Sequence, residues 1–213
     1  KSIIREQGDR MISSTFRRDE LKERRTGGST GEPLRFFITR KEFEEQIGVC
    51  LRANALVGIR PGDPMAKVWG YDEDMTLANA FSPVTGRVYL DAFHTDGAEL
   101  ERWVRWLNRV PPKMIYGYTT AIHQLAQHLR DTRQSIPGVR VVATTAEKLF
   151  EEQRATIERF IGGTVVDMYG CHEVPRLASE CLHGRMHVAP DAAVIEFLPL
   201  DDGAQETNRI IIS

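Results

Sequence analysis

Cysteine is scarce: three of the 213 residues, an odd number too small for a disulfide framework, so burial rather than covalent stapling has to hold the fold. There is no excess of one charge. Lysine and arginine number 28 against 30 aspartate and glutamate, for a net charge of −2, which argues against a nucleic-acid binder. No apolar run approaches the ~20 residues of a membrane span, and the opening residues are charged rather than a secretory signal. These absences predict a cytoplasmic protein with no membrane or nucleic-acid partner. Gly27-Gly28-Ser29-Thr30-Gly31 carries the Gly-x-Ser-x-Gly letters but leads through Glu-Pro into a strand, so the strand-to-helix elbow of hydrolases is absent, as are the CxxC pairs of zinc ribbons. No internal repeat or low-complexity tract occurs.

What is present is ordinary for a globular protein, with 41% hydrophobic and 27% charged residues. The length suits one large domain, or part of one. Both ends read as cut. The chain starts within a charged segment and stops on Arg209-Ile210-Ile211-Ile212-Ser213, a β-branched run resembling a strand in mid-sheet. Three regions are expected: a charged connector or solvated helix over 1–25, an α/β core over 26–185, and the start of a β subdomain over 186–213.

Periodicity supports this division. Leu34–Ile38 reads as a strand, Lys41–Ile59 as an amphipathic helix, and Met65–Tyr71 as a buried strand. Arg87–Leu90, Lys113–Gly117, Val139–Ala143 and Thr164–Met168 are further strands. The helices between them are marked by Leu100/Trp103/Val104/Leu107, which Thr95-Asp96-Gly97 can cap, Ile122/Leu125/Ala126/Leu129 and Phe150/Ile157/Phe160/Ile161. Strands alternating with 10–15-residue helices predict an α/β fold with a largely parallel sheet flanked by helices. Met186–Val188, Ala193–Leu198 and Arg209–Ile212 follow one another without helices, with Asp201-Asp202-Gly203 as a hairpin-type turn between the last two, so an antiparallel β region is expected at the C-terminal end.

Three stretches carry candidate chemistry. In Thr26-Gly27-Gly28-Ser29-Thr30-Gly31-Glu32-Pro33, the glycines permit close backbone approach, and hydroxyls join backbone N–H groups as donors for a polyphosphate. A plain hairpin loop is the alternative. It is not a Walker loop, because Gly31 leads to Glu-Pro rather than Lys-Ser/Thr, and no strand–glycine turn–helix order marks a dinucleotide fingerprint. In Tyr169-Gly170-Cys171-His172-Glu173, the Tyr169 ring can lie against a base and Glu173 can ligate a hard cation. Thr144-Thr145-Ala146-Glu147 leaves the preceding strand, and ligands of parallel sheets gather at such strand ends. The third stretch, Cys171, Cys181, His183 and His187, is a candidate structural zinc set without finger spacing; the alternative keeps Cys181 a small buried residue and His183 a turn residue.

Tyr-Gly-x-x-Glu at Tyr169–Glu173, preceded one βα unit earlier by Thr145-Ala146-Glu147 and far upstream by the Ser/Thr/Gly loop, is similar to the signature of the adenylate-forming (AMP-forming) ligase superfamily. Pro112–Tyr118, Ala146–Leu149 and Ala178–His187 resemble its phenylacetate–CoA ligase-like branch, which includes CapK-like proteins. The resemblance runs over about residues 25–213 and corresponds to part of that family's large N-terminal domain.

The resemblance implies an enzyme that activates a small carboxylic acid with ATP and Mg²⁺ to an acyl-adenylate. The acyl group then passes to a thiol such as CoA or, alternatively, to an amine; a non-catalytic nucleotide-binding module is the rival class. It implies that Thr26, Gly27, Gly28, Ser29, Thr30 and Gly31 hold the β- and γ-phosphates. Ala146 and Glu147 would line the adenine pocket, with Tyr169 and Gly170 against the base. His172 would stand near the α-phosphate and acyl carboxylate, and Glu173 would ligate Mg²⁺. A homodimer is left open. The chain departs from the pattern at Glu32, where many members place a lysine, and at Cys171-His172, where hydroxyl residues are common. The ribose-binding aspartate and the mobile C-terminal domain are expected beyond Ser213, so the fragment alone is expected to lack full activity.

Trp69, Trp103 and Trp106 are expected in the core, Cys50 is expected to be inert on an apolar helix face, and His123 and His128 carry no ligand pattern.

Overall fold

The computed structural model describes residues 2–25, 34–70, 79–199 and 208–212. They divide into two compact units: residues 1–50, 171–177 and 189–213 form the first, and residues 51–170 and 178–188 the second.

The first unit opens with helix α1 (Ser2–Gln7) and a 3₁₀ turn over Gly8–Met11. Strands β1 (Leu21–Arg25) and β2 (Arg35–Thr39) then pair antiparallel, Leu21 opposite Thr39 and Arg25 opposite Arg35. The end of the expected charged connector is therefore a strand. Lys22-Glu23-Arg24-Arg25 has no apolar alternation to announce it; β2 satisfies its backbone groups. Aromatic faces cover nearby cations, with Arg18 3.8 Å from the Phe37 ring and Lys22 Nζ 3.8 Å from that of Phe43. The Thr26–Pro33 loop, which joins β1 to β2 in sequence, lies outside the described residues. Helix α2 (Arg40–Leu56) follows, its residues up to Cys50 belonging to this unit.

The second unit is a seven-stranded sheet. Its strands are β3 (Met65–Trp69), β4 (Arg87–Asp91), β5 (Met114–Tyr118), β6 (Val141–Thr145), β7 (Thr164–Tyr169), β8 (Ala178–Glu180) and β9 (Met186–Val188), in the order β4-β3-β5-β6-β7-β8-β9. The first five are parallel, and β8 and β9 are antiparallel additions. Met186–Val188, expected in the appended β region, thus closes the edge of this sheet. The appended pair is β10 (Ile195–Pro199) with β11 (Asn208–Ile212), antiparallel and part of the first unit. Asp201-Asp202-Gly203, the expected turn between them, lies outside the described residues.

Besides a short helix α3 (Ser82–Thr85), the unit has α4 (Gly97–Arg109), α5 (Thr119–Thr132) and α6 (Glu151–Phe160). Asp96 caps α4 as its sequence suggests, Oδ1 accepting the N–H groups of Ala98 and Glu99 at 3.0 and 3.1 Å. The apolar stripes of these three helices meet one sheet face: Trp103, Leu107, Ile122, Leu125 and Ile157 pack with Val68, Val88, Ile115, Val142 and Val165. On the other face Met114, Val141, Ala143, Val166 and Met168 cluster with Val57 and Ile59. All five residues of β6 are buried, as a central parallel strand requires. Gly117 is obligatory in β5, because a Cβ there would run into the Val68 carbonyl. Trp103 is fully buried, whereas Trp69 and Trp106 are half-buried.

Candidate active site

The carboxyl ends of β6 and β7 lie side by side, in register from Val141 opposite Thr164 to Thr144 opposite Asp167. This parallel pairing brings Ala146 and Glu147 to the same sheet edge as Tyr169 and Gly170. Tyr169, the last residue of β7, is 48% exposed, so its ring is open to a ligand.

The loop after β6 is held in an unusual shape. Ala146 has φ 69°, one of two non-glycine residues with positive φ among those described, a region that disfavours residues with a Cβ. Its neighbours fix it there. Glu147 Oε2 accepts the Thr120 N–H at 2.7 Å, which caps α5 from outside that helix. Thr119 Oγ1 donates towards the carbonyls of Thr145 and Glu147, at 3.4 Å each. Glu147 therefore organises the loop as well as lining it. Burial first, and the Glu147 charge second, raise the pKa of the Tyr118 phenol.

Below the edge, Thr144 Oγ1 lies 3.2 Å from Asp167 Oδ1. Burial raises the Asp167 pKa, with hydrogen bonds from Thr144 and the Met168 backbone opposing the shift. Glu180 of β8 accepts the Asp167 N–H at 2.7 Å and an Arg154 N–H at 2.9 Å, while Arg154 also donates to the Val165 carbonyl at 2.6 Å. This half-buried set ties β7 to α6 and β8. Thr144 and Thr145, expected in the loop after the strand, are buried within β6 itself; sequence reasoning missed Asp167 and Arg154, and a polar residue inside an otherwise apolar strand, as at Asp167, was the available signal.

The segment after Gly170 belongs to the first unit. There Cys171 donates its N–H to the Val174 carbonyl at 3.0 Å, and Val174 N–H points to Cys171 Sγ at 3.4 Å. Gln46 of α2 donates to the Glu173 backbone carbonyl at 2.8 Å; Glu173 is exposed, its carboxylate hydrogen-bonded to the Cys171 thiol, and His172 is half-buried beside it. Burial is the main cause of a raised Cys171 pKa. The Thr26–Gly31 part of the candidate site lies outside the described residues.

Among the described residues, no three Cys, His, Asp or Glu side chains form a group able to hold a metal ion. Of the proposed zinc set, the structure joins Cys181 to His187 across the β8–β9 turn. Backbone hydrogen bonds at His183 and Arg185, followed by the His187 side chain, lower the Cys181 thiol to about 7. His183 itself is exposed on the turn. Elsewhere, His128 pairs with Glu101 at 3.3 Å, and burial is the main cause of a lowered His123 pKa. A cavity of about 530 Å³, lined by Ile4, Met11, Phe16, Leu21 and Phe36 among others, contains none of the described candidate site residues. No helix among the described residues is long and apolar enough to cross a membrane.

No family model matches the chain. It is 24% identical over 202 residues to Protein CapK of Staphylococcus aureus, covering 92% of this chain and 44% of that protein. Among solved structures, 2-hydroxyisobutyryl-CoA ligase in complex with 2-HIB-AMP and CoA superposes with a TM-score of 0.71 at 20% identity, over 92% of this chain and 44% of that one. The anthranilate CoA ligase AuaEII in complex with anthranoyl-AMP superposes with a TM-score of 0.60 at 15% identity, over 99% and 42%. The chain thus spans less than half the length of these relatives.

Proposed function

We propose that this chain, which shares its fold with solved CoA ligases, belongs to the adenylate-forming ligase superfamily and forms the nucleotide-binding part of an AMP-forming acid–thiol ligase. The observation that carries this reading is the pairing of Ala146–Glu147 with Tyr169–Gly170 at the carboxyl edge of two adjacent parallel strands. A base can lie on the exposed Tyr169 ring, where Gly170 adds no side chain and the Ala146 loop forms a rigid wall. Thr26–Gly31 takes the β- and γ-phosphates through backbone N–H and hydroxyl groups.

The exposed Glu173 carboxylate suits Mg²⁺, which one or two carboxylates bind together with substrate phosphates. When bound, the ion neutralises phosphate charge. His172 donates to the α-phosphate or the acyl carboxylate as the carboxylate oxygen attacks phosphorus and pyrophosphate leaves. The protein's contribution is positioning and charge stabilisation. CoA is the proposed thiol, as in the relative solved with an acyl-AMP and CoA.

The test is ATP–pyrophosphate exchange by the full-length protein across a panel of aliphatic, hydroxylated and aromatic carboxylates. Acid-dependent exchange is expected. Its absence across the panel, with ATP binding retained, would replace the enzyme by a nucleotide-binding module. Exchange followed by acyl transfer to an amine in place of CoA would make it an amide synthetase.

A further inference from the structure

The turn after β4 holds a pair of side chains that the adenylation chemistry does not use. Asp91 ends β4 with its side chain only 14% exposed. Its Oδ1 accepts the Phe93 N–H at 3.0 Å, and its Oδ2 lies 2.6 Å from His94 Nδ1. An ionised carboxylate can only accept, so Nδ1 carries the proton, and in the neutral ring Nε2 is the nitrogen with a lone pair to take up another. The His94 side chain is 70% exposed. A base fixed on one side by a carboxylate and open on the other has the geometry of a general base with its orienting group.

Its position adds a second argument. In the order β4-β3-β5-β6-β7, His94 follows the same carboxyl edge as Glu147 and Tyr169, three strand spacings or about 14 Å from β6. Aromatic rings occupy the interval: Trp69 lies 4.9 Å and Phe93 6.0 Å from Tyr118, centroid to centroid. The edge therefore runs from a nucleotide end through an apolar floor to a base. An acyl-adenylate with its base at Tyr169 would extend its acyl group along this floor.

We propose that His94, oriented by Asp91, accepts the proton of the acceptor thiol in the acyl-transfer half-reaction, an inference that rests on the ligase reading above. Nε2 takes the S–H proton as sulfur bonds to the acyl carbon. The carbon–oxygen bond to phosphate breaks, AMP leaves with the electron pair, and the imidazolium returns its proton to solvent. The charged groups acting on His94 are Asp91, then Glu99 and Asp96 at the start of α4. All three raise its pKa against the opposing effect of desolvation, which strengthens the base.

The experiment uses the full-length protein with an acid that supports pyrophosphate exchange, and measures exchange and single-turnover transfer to CoA separately. His94→Gln is expected to keep exchange within about twofold and slow transfer about 100-fold or more. Asp91→Asn is expected to slow transfer less and to move the midpoint of its pH profile downward, because the group raising the imidazole pKa is gone. Unimpaired transfer in His94→Gln, or an equal fall in both half-reactions, overturns the proposal while leaving the ligase reading intact. A wild-type protein without exchange for any acid overturns both.

Discussion

The Glu147 carboxylate accepts the Thr120 N–H at 2.7 Å, so one side chain ties the loop after β6 to the first turn of α5. A residue quoted for a ligand pocket is also a helix cap. Glu147→Ala should cost about 0.5–2 kcal/mol, the usual value of a lost cap, and should also weaken ATP binding as the loop loosens. Urea unfolding and calorimetric titration with ATP read the two effects separately.

Ala146 tests the same loop through its backbone. At φ 69° a glycine meets no Cβ penalty, whereas a β-branched residue meets more than alanine does. Ala146→Gly should leave stability unchanged or slightly raised. Ala146→Val should lower it by about 1–2 kcal/mol. Thermal melts of the pair decide this, and equal melting points would remove the strain argument.

Asp167 predicts a pH effect with a definite sign. Burial raises its folded-state pKa, so the folded protein holds this proton more tightly than the unfolded chain does. Stability should therefore fall as pH rises from the ordinary aspartate value through the raised one. Asp167→Asn cannot ionise, so the variant should gain stability relative to wild type at pH 7 compared with pH 4. Denaturant midpoints at the two pH values give the comparison.

The cysteines should differ in reactivity. Cys181 is lowered to about 7 by backbone hydrogen bonds at His183 and Arg185 and by His187, whereas burial raises Cys171. At pH 7 iodoacetamide should label Cys181 first, and His187→Ala should slow that labelling. Peptide mass spectrometry over a time course reports both rates.

Glu173→Gln should weaken Mg-ATP binding about tenfold or more, because a cation loses its charged ligand, and should leave metal-free ATP binding nearly unchanged. Titrations with and without Mg²⁺ provide the measurement.

Local chemistry made much of this legible. Val139–Ala143 gave away β6 two residues early at each end, and the spacing of Leu100, Trp103, Val104 and Leu107 marked α4 together with its Asp96 cap. β1 was illegible because Leu21–Arg25 becomes a strand through pairing with β2, a non-local contact that leaves no apolar alternation. β8 was illegible because three residues, Ala178–Glu180, hold too little pattern; antiparallel pairing on both sides makes them a strand. The zinc grouping shows the converse, since nearness along the chain suggested a set of four of which the fold joins Cys181 with His187.

By itself, the sequence determined the α/β alternation, the largely parallel sheet and the loops that could face a nucleotide. Those follow from periodicity and turn chemistry within a few residues of each position. Strand order, the capping role of Glu147, the buried environment of Asp167 and the Asp91–His94 pair at the shared edge of the sheet were decided by tertiary structure. Each depends on which strands and helices become neighbours, and hydrogen bonding, desolvation and charge act over distances in space rather than along the chain.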